Sequence, residues 1–232
     1  KVGRNGMPEK LIVLRHCKKI DPGDISTYLS AGGFEGLNRA RREMSPKEVI
    51  GEVKISELRG RGGAGFGCGA KWEKAAESEG KDKFIICNAD EGEIGTFKDR
   101  YMLENDPFSV IEGILIACYA MGAGQAFIYL REEYTFLAQQ VRSAIEQTVE
   151  KGFSEGVDIQ VVQGAGAYVC GEESALMESI EGKRGEPRIR PPFPTNRGLF
   201  GKPTIINNVE TLMNIPWILM NGGRRFRDIG TA

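Results

Sequence analysis

A chain of 232 residues can bury a sizeable core, either as one large domain or as a main domain with an appendage. Its 31 Lys and Arg residues against 32 Asp and Glu residues give a net charge of -1, which excludes a global field directed at nucleic acid or at an anionic membrane surface. The five cysteines are scattered without a CxxC pair, so neither a disulfide framework nor a zinc or iron–sulfur site is predicted, and no metal ligand is assigned.

The sequence contains no stretch that predicts a membrane span or a signal peptide. The longest uninterrupted apolar run, Ile114 to Met121, is too short to span a bilayer, and no charged-then-apolar signal segment opens the chain. We therefore expect a cytoplasmic protein without direct membrane insertion, in which Cys87 and Cys118 are small buried hydrophobic residues.

The first 44 residues are predicted to form an appendage to a main domain over residues 45–232. Leu11 to Leu14 is interpreted as a short buried strand, and the stretches Ile25 to Leu29 and Phe34 to Met44 as two short helices. The chain begins with lysine and stops without a terminal element of its own, so we expect a part of a longer polypeptide, truncated at its carboxyl end.

A glycine-rich stretch, Leu58 to Trp72, follows a predicted helix. Ser45 and Glu48 form a capping box with proline at the first helical position, which predicts a helix from about Pro46 to Leu58. The six glycines of the stretch stand at positions 60, 62, 63, 65, 67 and 69. Such a run is either a flexible linker or an anion cradle, and the helix-forming segment that starts at Ala70 favours a phosphate-binding loop at a helix N-terminus.

The glycines do not fit the ordinary dinucleotide-binding position. Gly60, Gly62 and Gly65 satisfy GxGxxG, but that fingerprint has to follow a strand, and here it follows a helix. The nearest predicted strand, Lys83 to Cys87, comes afterwards. We therefore reject the standard Rossmann placement and keep the phosphate interpretation.

Beyond this loop, strands alternate with helices. Helices are predicted from Asp106-Pro107 to Gly122, over Glu132–Lys151 and Ser174–Ile180 and from Asn207-Asn208 onward, and strands over Gln125–Leu130 and Asp158–Val162. This alternation indicates an α/β fold with a largely parallel sheet covered on both faces.

Four polar segments accompany these elements. Residues 88–93, Asn-Ala-Asp-Glu-Gly-Glu, form either a solvated turn or a site at the carboxyl end of a buried strand. Glu172 and Glu173 open a helix and suit its dipole, so capping is the simpler interpretation. The proline-rich basic loop of residues 182–201 either lies on the surface or covers an anionic planar ligand. Asn207 and Asn208 are helix caps or ligand donors.

The ordered set of motifs is more specific than any member. The motifs are LRGRGGAGF, KW, NADEGE, GAGAYVCGEE, EGKRGEPRIRPPFP, GLFGKPT and NNVETL. Together they closely resemble the NADH- and FMN-binding flavoprotein subunit of respiratory complex I and its relatives in NAD-linked hydrogenases and formate dehydrogenases. The resemblance covers about Ser45 to Leu219, and the preceding segment is more similar to the hydrogenase relatives.

The resemblance implies a three-layer, Rossmann-like α/β domain that holds FMN non-covalently with NAD(H) stacked on the flavin. The residues that it assigns to cofactor binding are Gly60, Arg61, Gly62, Gly63, Gly65 and Lys71 at the phosphates; Asn88, Asp90 and Glu91 at the ribityl chain and flavin ring; Gly171 and Glu172 near the flavin and nicotinamide; Phe66, Phe193 and Arg190 at the adenine and nucleotide; and Asn207, Asn208 and Thr211 on the phosphate side of FMN. Tyr168 is also assigned to cofactor binding. Glu93 and Glu173 are assigned to the reacting nucleotide and flavin, as catalytic residues.

The implied reaction is hydride transfer from NADH to FMN, followed by single-electron transfer to iron–sulfur clusters in a larger complex. The implied partners are a thioredoxin-like [2Fe-2S] subunit, a hydrogenase, a formate dehydrogenase or the complex I arm. Relatives continue into a ubiquitin-like domain and a [4Fe-4S] domain, so this chain is expected to be a fragment without its own electron exit. A non-catalytic flavin or nucleotide subunit and an unspecified phosphate-binding module remain as alternatives.

Two positions depart from the family pattern. The usual Pro-Thr after GAGF is Gly67-Cys68, and the aromatic residue two positions after Trp72 is Lys74. The second change removes a stacking surface beside the adenine and adds a charge. Weaker NADH binding, a preference for NADPH or a different electron partner are therefore open.

Overall fold

The computed structural model of the chain describes residues 10–80 and 82–230. Its centre is a four-stranded parallel sheet in the order β3-β2-β1-β4. The strands are β1 Phe84–Ala89, β2 Gln125–Leu130, β3 Asp158–Gln163 and β4 Thr204–Asn208. The chain builds β1, β2 and β3 outward in one direction and then returns to place β4 on the other side of β1, so the strand order reverses between β1 and β4.

Eleven α-helices lie among the described residues. They are α1 Ile25–Ser30, α2 Glu35–Glu43, α3 Pro46–Ile55, α4 Cys68–Glu77, α5 Lys98–Asn105, α6 Pro107–Met121, α7 Thr135–Glu150, α8 Glu173–Ile180, α9 Pro194–Arg197, α10 Val209–Asn221 and α11 Gly223–Arg227. The predicted capping box is present at the start of α3. A 3-10 turn over Glu132–Tyr134 precedes α7 and shortens the predicted helix there. Strand β4 and helix α5 were not predicted.

Both faces of the sheet are covered, which confirms the predicted three-layer α/β architecture. Alternate residues of β1 point to opposite faces, with Ile85 and Cys87 in the large core under α6 and α10 and with Phe84 and Ile86 in a smaller one. The smaller core is completed by side chains such as Leu176 of α8. Two cores on one parallel sheet explain why its central strands, β1 and β2, are apolar on both sides.

The N-terminal segment shares the large core. Tyr28 of α1, Phe34 just before α2 and Leu37 of α2 are buried in it, and α2 packs against α6 and α10. Glu112 of α6 is buried and accepts hydrogen bonds from the backbone N–H groups of Phe34, at 2.9 Å, and Leu37, at 3.0 Å, and from the Tyr28 hydroxyl. One carboxylate therefore ties this segment to the centre of the molecule, and the division into an appendage and a main domain stays a prediction.

The predicted strand over Leu11 to Leu14 is wrong. Residues 12–14 form bends and turns, and Leu11 is exposed. The segment pairs with neither edge strand of the sheet, β3 or β4, and Val13 and Leu14 pack against the large core instead.

No helix in the described part of the chain is both long and apolar enough to cross a bilayer. All five cysteines are free and buried. Burial raises the pKa of Cys118 to about 12, which fits the small hydrophobic role predicted for it.

Candidate functional site

The candidate site lies where the strand order reverses. In an open parallel sheet, a crevice forms outside the carboxyl ends of the two strands that flank such a reversal. Here those strands are β1 and β4, and their register places Asn88 opposite Asn208. The acidic turn after β1 and the first turn of α10 after β4 therefore border one crevice.

The glycine loop reaches this crevice from outside the sheet. Arg59 and Gly67 form an antiparallel bridge that closes the loop, and the Gly60 N–H donates to the Phe66 carbonyl at 2.9 Å. The Arg61 N–H donates to Thr211 Oγ1 of α10 at 2.9 Å. The loop thus lies between α3 and α4, yet it rests on the helix that follows β4, which explains why it does not follow a strand.

The backbone of the loop is open to an anion. Gly63 and Gly65 have φ values of 112° and 63°, which side-chain-bearing residues rarely adopt. No hydrogen bond among the described residues uses the N–H groups of Gly62, Gly63 or Gly65. A Cβ on Gly62 would lie 3.3 Å from Cβ of Asn208, so glycine also allows the close approach to β4. Free N–H groups in such a loop are typical of a phosphate cradle.

Helix α4 carries two polar side chains toward β4. Lys71 Nζ donates to the Ile206 carbonyl at 2.6 Å and lies 3.5 Å from Glu173 Oε2. Trp72 Nε1 donates to Asn207 Oδ1 at 2.9 Å, and Asn207 is only 5% exposed. Lys71 is therefore placed at the crevice, whereas the amide oxygen of Asn207 is used to hold α4 against β4.

The turn after β1 meets the loop before α8. Asn88 Nδ2 donates to the Gly171 carbonyl at 2.9 Å, and Asn88 Oδ1 accepts from the Asp90 N–H at 3.0 Å. A Cβ on Gly171 would lie 3.3 Å from the Asp90 carbonyl oxygen, so glycine allows this contact. Burial raises the pKa of Asp90 to about 6, although the nearby Arg131 guanidinium acts in the opposite direction.

Glu91 is held within the protein. Its carboxylate accepts from the backbone N–H groups of Asp99, at 2.9 Å, and Arg100, at 3.2 Å, and from the Tyr134 hydroxyl at 3.0 Å. It therefore caps the start of α5, where a carboxylate suits the helix dipole. Arg131 also donates to the carbonyl of Glu91 and fixes the backbone of the turn.

The carboxylates nearest the proline-rich loop are paired. Glu172 accepts from the N–H groups of Ser174 and Ala175 and caps α8, as the simpler interpretation predicted. Burial alone would raise the pKa of Glu172, but these hydrogen bonds lower it. Arg190 contacts Glu172 and lies 3.0 Å from Glu173, which joins the loop to the start of α8.

Three aromatic side chains of the predicted site are exposed. Tyr168 donates its hydroxyl proton to Glu93, and both residues are exposed. Phe66 and Phe193 are 53% and 54% exposed, so neither ring is used by the core. Lys74 Nζ lies 5.8 Å from the centroid of the Phe66 ring. Large apolar rings that are exposed beside an anion cradle favour a planar ligand.

Sequence reasoning missed two residues of the crevice, Lys98 and Asp99 at the start of α5. Lys98 Nζ donates to Asn208 Oδ1 at 2.9 Å, and Asn208 Nδ2 donates to Asp99 Oδ2 at 2.6 Å. Asn208 also caps α10 by accepting from the Glu210 N–H at 3.1 Å. The signal that could have found them is the acidic residue in the first turn of an unrecognised helix.

The comparisons with known proteins show the family of the chain. A family model described as Nuo51 FMN-binding domain matches residues 53–217. A subunit of the NADH-quinone oxidoreductase of Aquifex aeolicus (strain VF5) is 50% identical over 229 residues, which cover 95% of this chain and 53% of that protein. NADP-reducing hydrogenase subunit HndC of Solidesulfovibrio fructosivorans is 48% identical over 229 residues, which cover 95% and 46%.

The fold of the chain also matches a solved structure. A crystal structure of NAD+-reducing [NiFe]-hydrogenase in the air-oxidized state matches with a TM-score of 0.80 at 43% identity, over 90% of this chain and 36% of that one. The chain thus spans about half the length of the curated relatives that it matches.

Proposed function

The chain belongs to the Nuo51 FMN-binding domain family, and on that premise we propose that it binds FMN and serves as the hydride-accepting module of an NAD(P)H:acceptor oxidoreductase. One observation carries the proposal. Free backbone N–H groups of the glycine loop and the carboxylate and amide groups after β1 border a single crevice at the β1/β4 reversal.

The residues present fit this cofactor. The N–H groups of Gly62, Gly63 and Gly65, the start of α10 and the Lys71 ammonium suit a phosphate. Asn88 and Asp90 offer the amide and carboxyl groups that bind ribityl hydroxyls. Asn207 and Glu91 contribute by orientation, because their side chains already bond to Trp72 and to the start of α5.

The nucleotide is assigned to the side of the crevice that faces the proline-rich loop. Glu173 lies between Lys71 and Arg190, at 3.5 Å and 3.0 Å, so its carboxylate holds both cations at this side of the crevice. The exposed rings of Phe66 and Phe193 offer stacking surfaces for an adenine. Glu93 and Glu173 are the carboxylates proposed to contact the reacting nucleotide.

When bound, FMN supplies a centre that accepts two electrons as a hydride and returns them one at a time. The chain holds the rings within reach, orients them through hydrogen bonds, and limits the access of water. No side chain is required to supply an acid or a base. We further assign the onward electrons to iron–sulfur partner subunits in the cytoplasm, with any [4Fe-4S] cluster in a further C-terminal part or in a partner.

A visible absorption spectrum tests the proposal. The purified chain, incubated with FMN and freed of excess flavin, should be yellow and should bleach when NADH is added without oxygen. A yellow protein that neither NADH nor NADPH bleaches indicates a non-catalytic flavoprotein. A chain that stays colourless refutes the proposal. Gly63→Ala should weaken FMN binding because φ is 112° there, whereas Gly51→Ala, whose added methyl meets no atom of another element within 4 Å, should not.

One observation favours a second candidate, in which NADPH is the preferred nucleotide. Lys74 lies on the exposed Phe66 ring, where the family pattern has an aromatic residue. A cation beside an exposed ring suits the 2′-phosphate of a stacked adenosine. The HndC relative is named as an NADP-reducing hydrogenase subunit, which also supports the phosphorylated nucleotide.

A further inference from the structure

A cluster of charges at the start of α10 has no role in the proposed function so far. Lys98 Nζ lies 2.6 Å from Asp99 Oδ1, 3.2 Å from Glu210 Oε2 and 2.9 Å from Asn208 Oδ1. Lys98 thus lies between two carboxylates and the asparagine that caps α10. No other ion pair of Asp99 or Glu210 is found in the described part of the chain.

The two carboxylates lie where an anion is proposed to bind. Asn208 is in contact with the glycine loop through Gly62, and Thr211, one residue after Glu210, accepts from the loop N–H of Arg61. The side chain of Asp99 is only 4% exposed and that of Glu210 is 23% exposed, so water screens them poorly. Without a cation, these carboxylates would repel a phosphate that the loop and the helix N-terminus attract.

The Lys98 side chain itself is 36% exposed and comes from the first residue of α5. Its charge is shared with two carboxylates, so it does not offer a free cation to a ligand. It acts on a bound anion indirectly, because it neutralises the carboxylates of Asp99 and Glu210 that would repel the anion.

We infer that Lys98 is a positioning residue that neutralises Asp99 and Glu210 and orients Asn208, so that the crevice accepts a dianionic phosphate. The inference rests on the proposed function, because it concerns the phosphate end of the same flavin site. It predicts that Lys98 distinguishes FMN from riboflavin, which has the same ring and ribityl chain without the phosphate.

Flavin fluorescence titration of the full chain tests this inference. Lys98→Met should weaken FMN binding by about tenfold while changing riboflavin affinity by less than about threefold. Lys98→Arg should retain the wild-type ratio of the two affinities. Glu210→Gln alone should shift the ratio of affinities toward FMN. Combined with Lys98→Met, it should restore much of the FMN affinity that Lys98→Met loses.

Lys202→Met is the matched control, because Lys202 pairs with Asp82 at 3.4 Å on the surface and should leave the ratio unchanged. If Lys98→Met weakens both flavins equally, or if Glu210→Gln adds to its loss, Lys98 acts through packing and the inference is overturned. If wild type binds both flavins but Lys98→Met leaves their ratio unchanged, the inference fails and the proposed function stands. If wild type binds neither flavin, both fail.

Discussion

Replacing Glu91 by glutamine tests whether the turn after β1 depends on the capping of α5. The two carboxylate oxygens of Glu91 accept from the N–H groups of Asp99 and Arg100 and from the Tyr134 hydroxyl. Glutamine has one oxygen, so its amide nitrogen must face a donor. Loss of the charge at the helix N-terminus and one unsatisfied buried donor together cost roughly 2–4 kcal/mol. For a domain of this size, that lowers Tm by roughly 5–15 °C.

Urea unfolding of flavin-free protein, followed by far-ultraviolet circular dichroism, measures this loss. Glu104→Gln is the control, because Glu104 lies on the same helix and its carboxylate pairs with Arg100 at 3.7 Å, near the surface. It should change stability by less than about 0.5 kcal/mol. If Glu91→Gln is as stable as this control, the capping role is refuted. In that case, a loss of FMN binding by Glu91→Gln would indicate direct contact with the flavin.

Three other predictions concern packing, pH and nucleotide choice. Gly51→Ala should stabilise α3 by about 0.5–1 kcal/mol. Gly69→Ala should lower the stability of the protein, because its methyl would lie 2.6 Å from the Lys54 backbone. If urea unfolding shows that both variants change the free energy of unfolding in the same direction, this packing is contradicted. The pKa of Asp90 is raised to about 6 in the folded protein, so between about pH 4 and pH 6 the folded state holds a proton that the unfolded state has lost, and stability falls as the pH rises. Asp90→Asn does not titrate, so its Tm should exceed that of wild type by an amount that grows over this window. A difference in Tm between the two proteins that stays constant with pH refutes this prediction. Lys74→Ala should weaken binding of 2′,5′-ADP by about tenfold more than that of 5′-ADP in calorimetry, and an equal loss contradicts a 2′-phosphate contact.

The elements with a strong local signal were predicted from sequence. The capping box fixed the start of α3, and continuous apolar runs revealed β2 and α6. Helix α5 was missed because only Asp99, Met102 and Leu103 are buried in it, too few for an apolar period. Strand β4 was missed because its five residues end in two asparagines, and its pairing with β1 spans more than a hundred residues.

The sequence predicts where in the fold the candidate site lies better than it predicts which side chains contact one another there. Parallel strands bring their carboxyl ends to one edge, so the polar residues after β1 were expected there. Strand β4 was not predicted, and Asn207 and Asn208 were expected only as helix caps or ligand donors. The use of each side chain depends on partners distant in sequence. Trp72 and Asn207, for example, are 135 positions apart, and Glu91 meets Tyr134 from the end of another strand. No local pattern records these bonds.

The position of β4 at the sheet edge beside β1 also sets the order in which the site is assembled. The glycine loop rests on Thr211 and Asn208, which follow it by about 150 residues. During synthesis, a chain that has not yet emerged through these residues has the loop but not the helix against which it rests. The proposed phosphate cradle is thus complete only once β4, the last strand in the described part of the chain, and the start of α10 are in place.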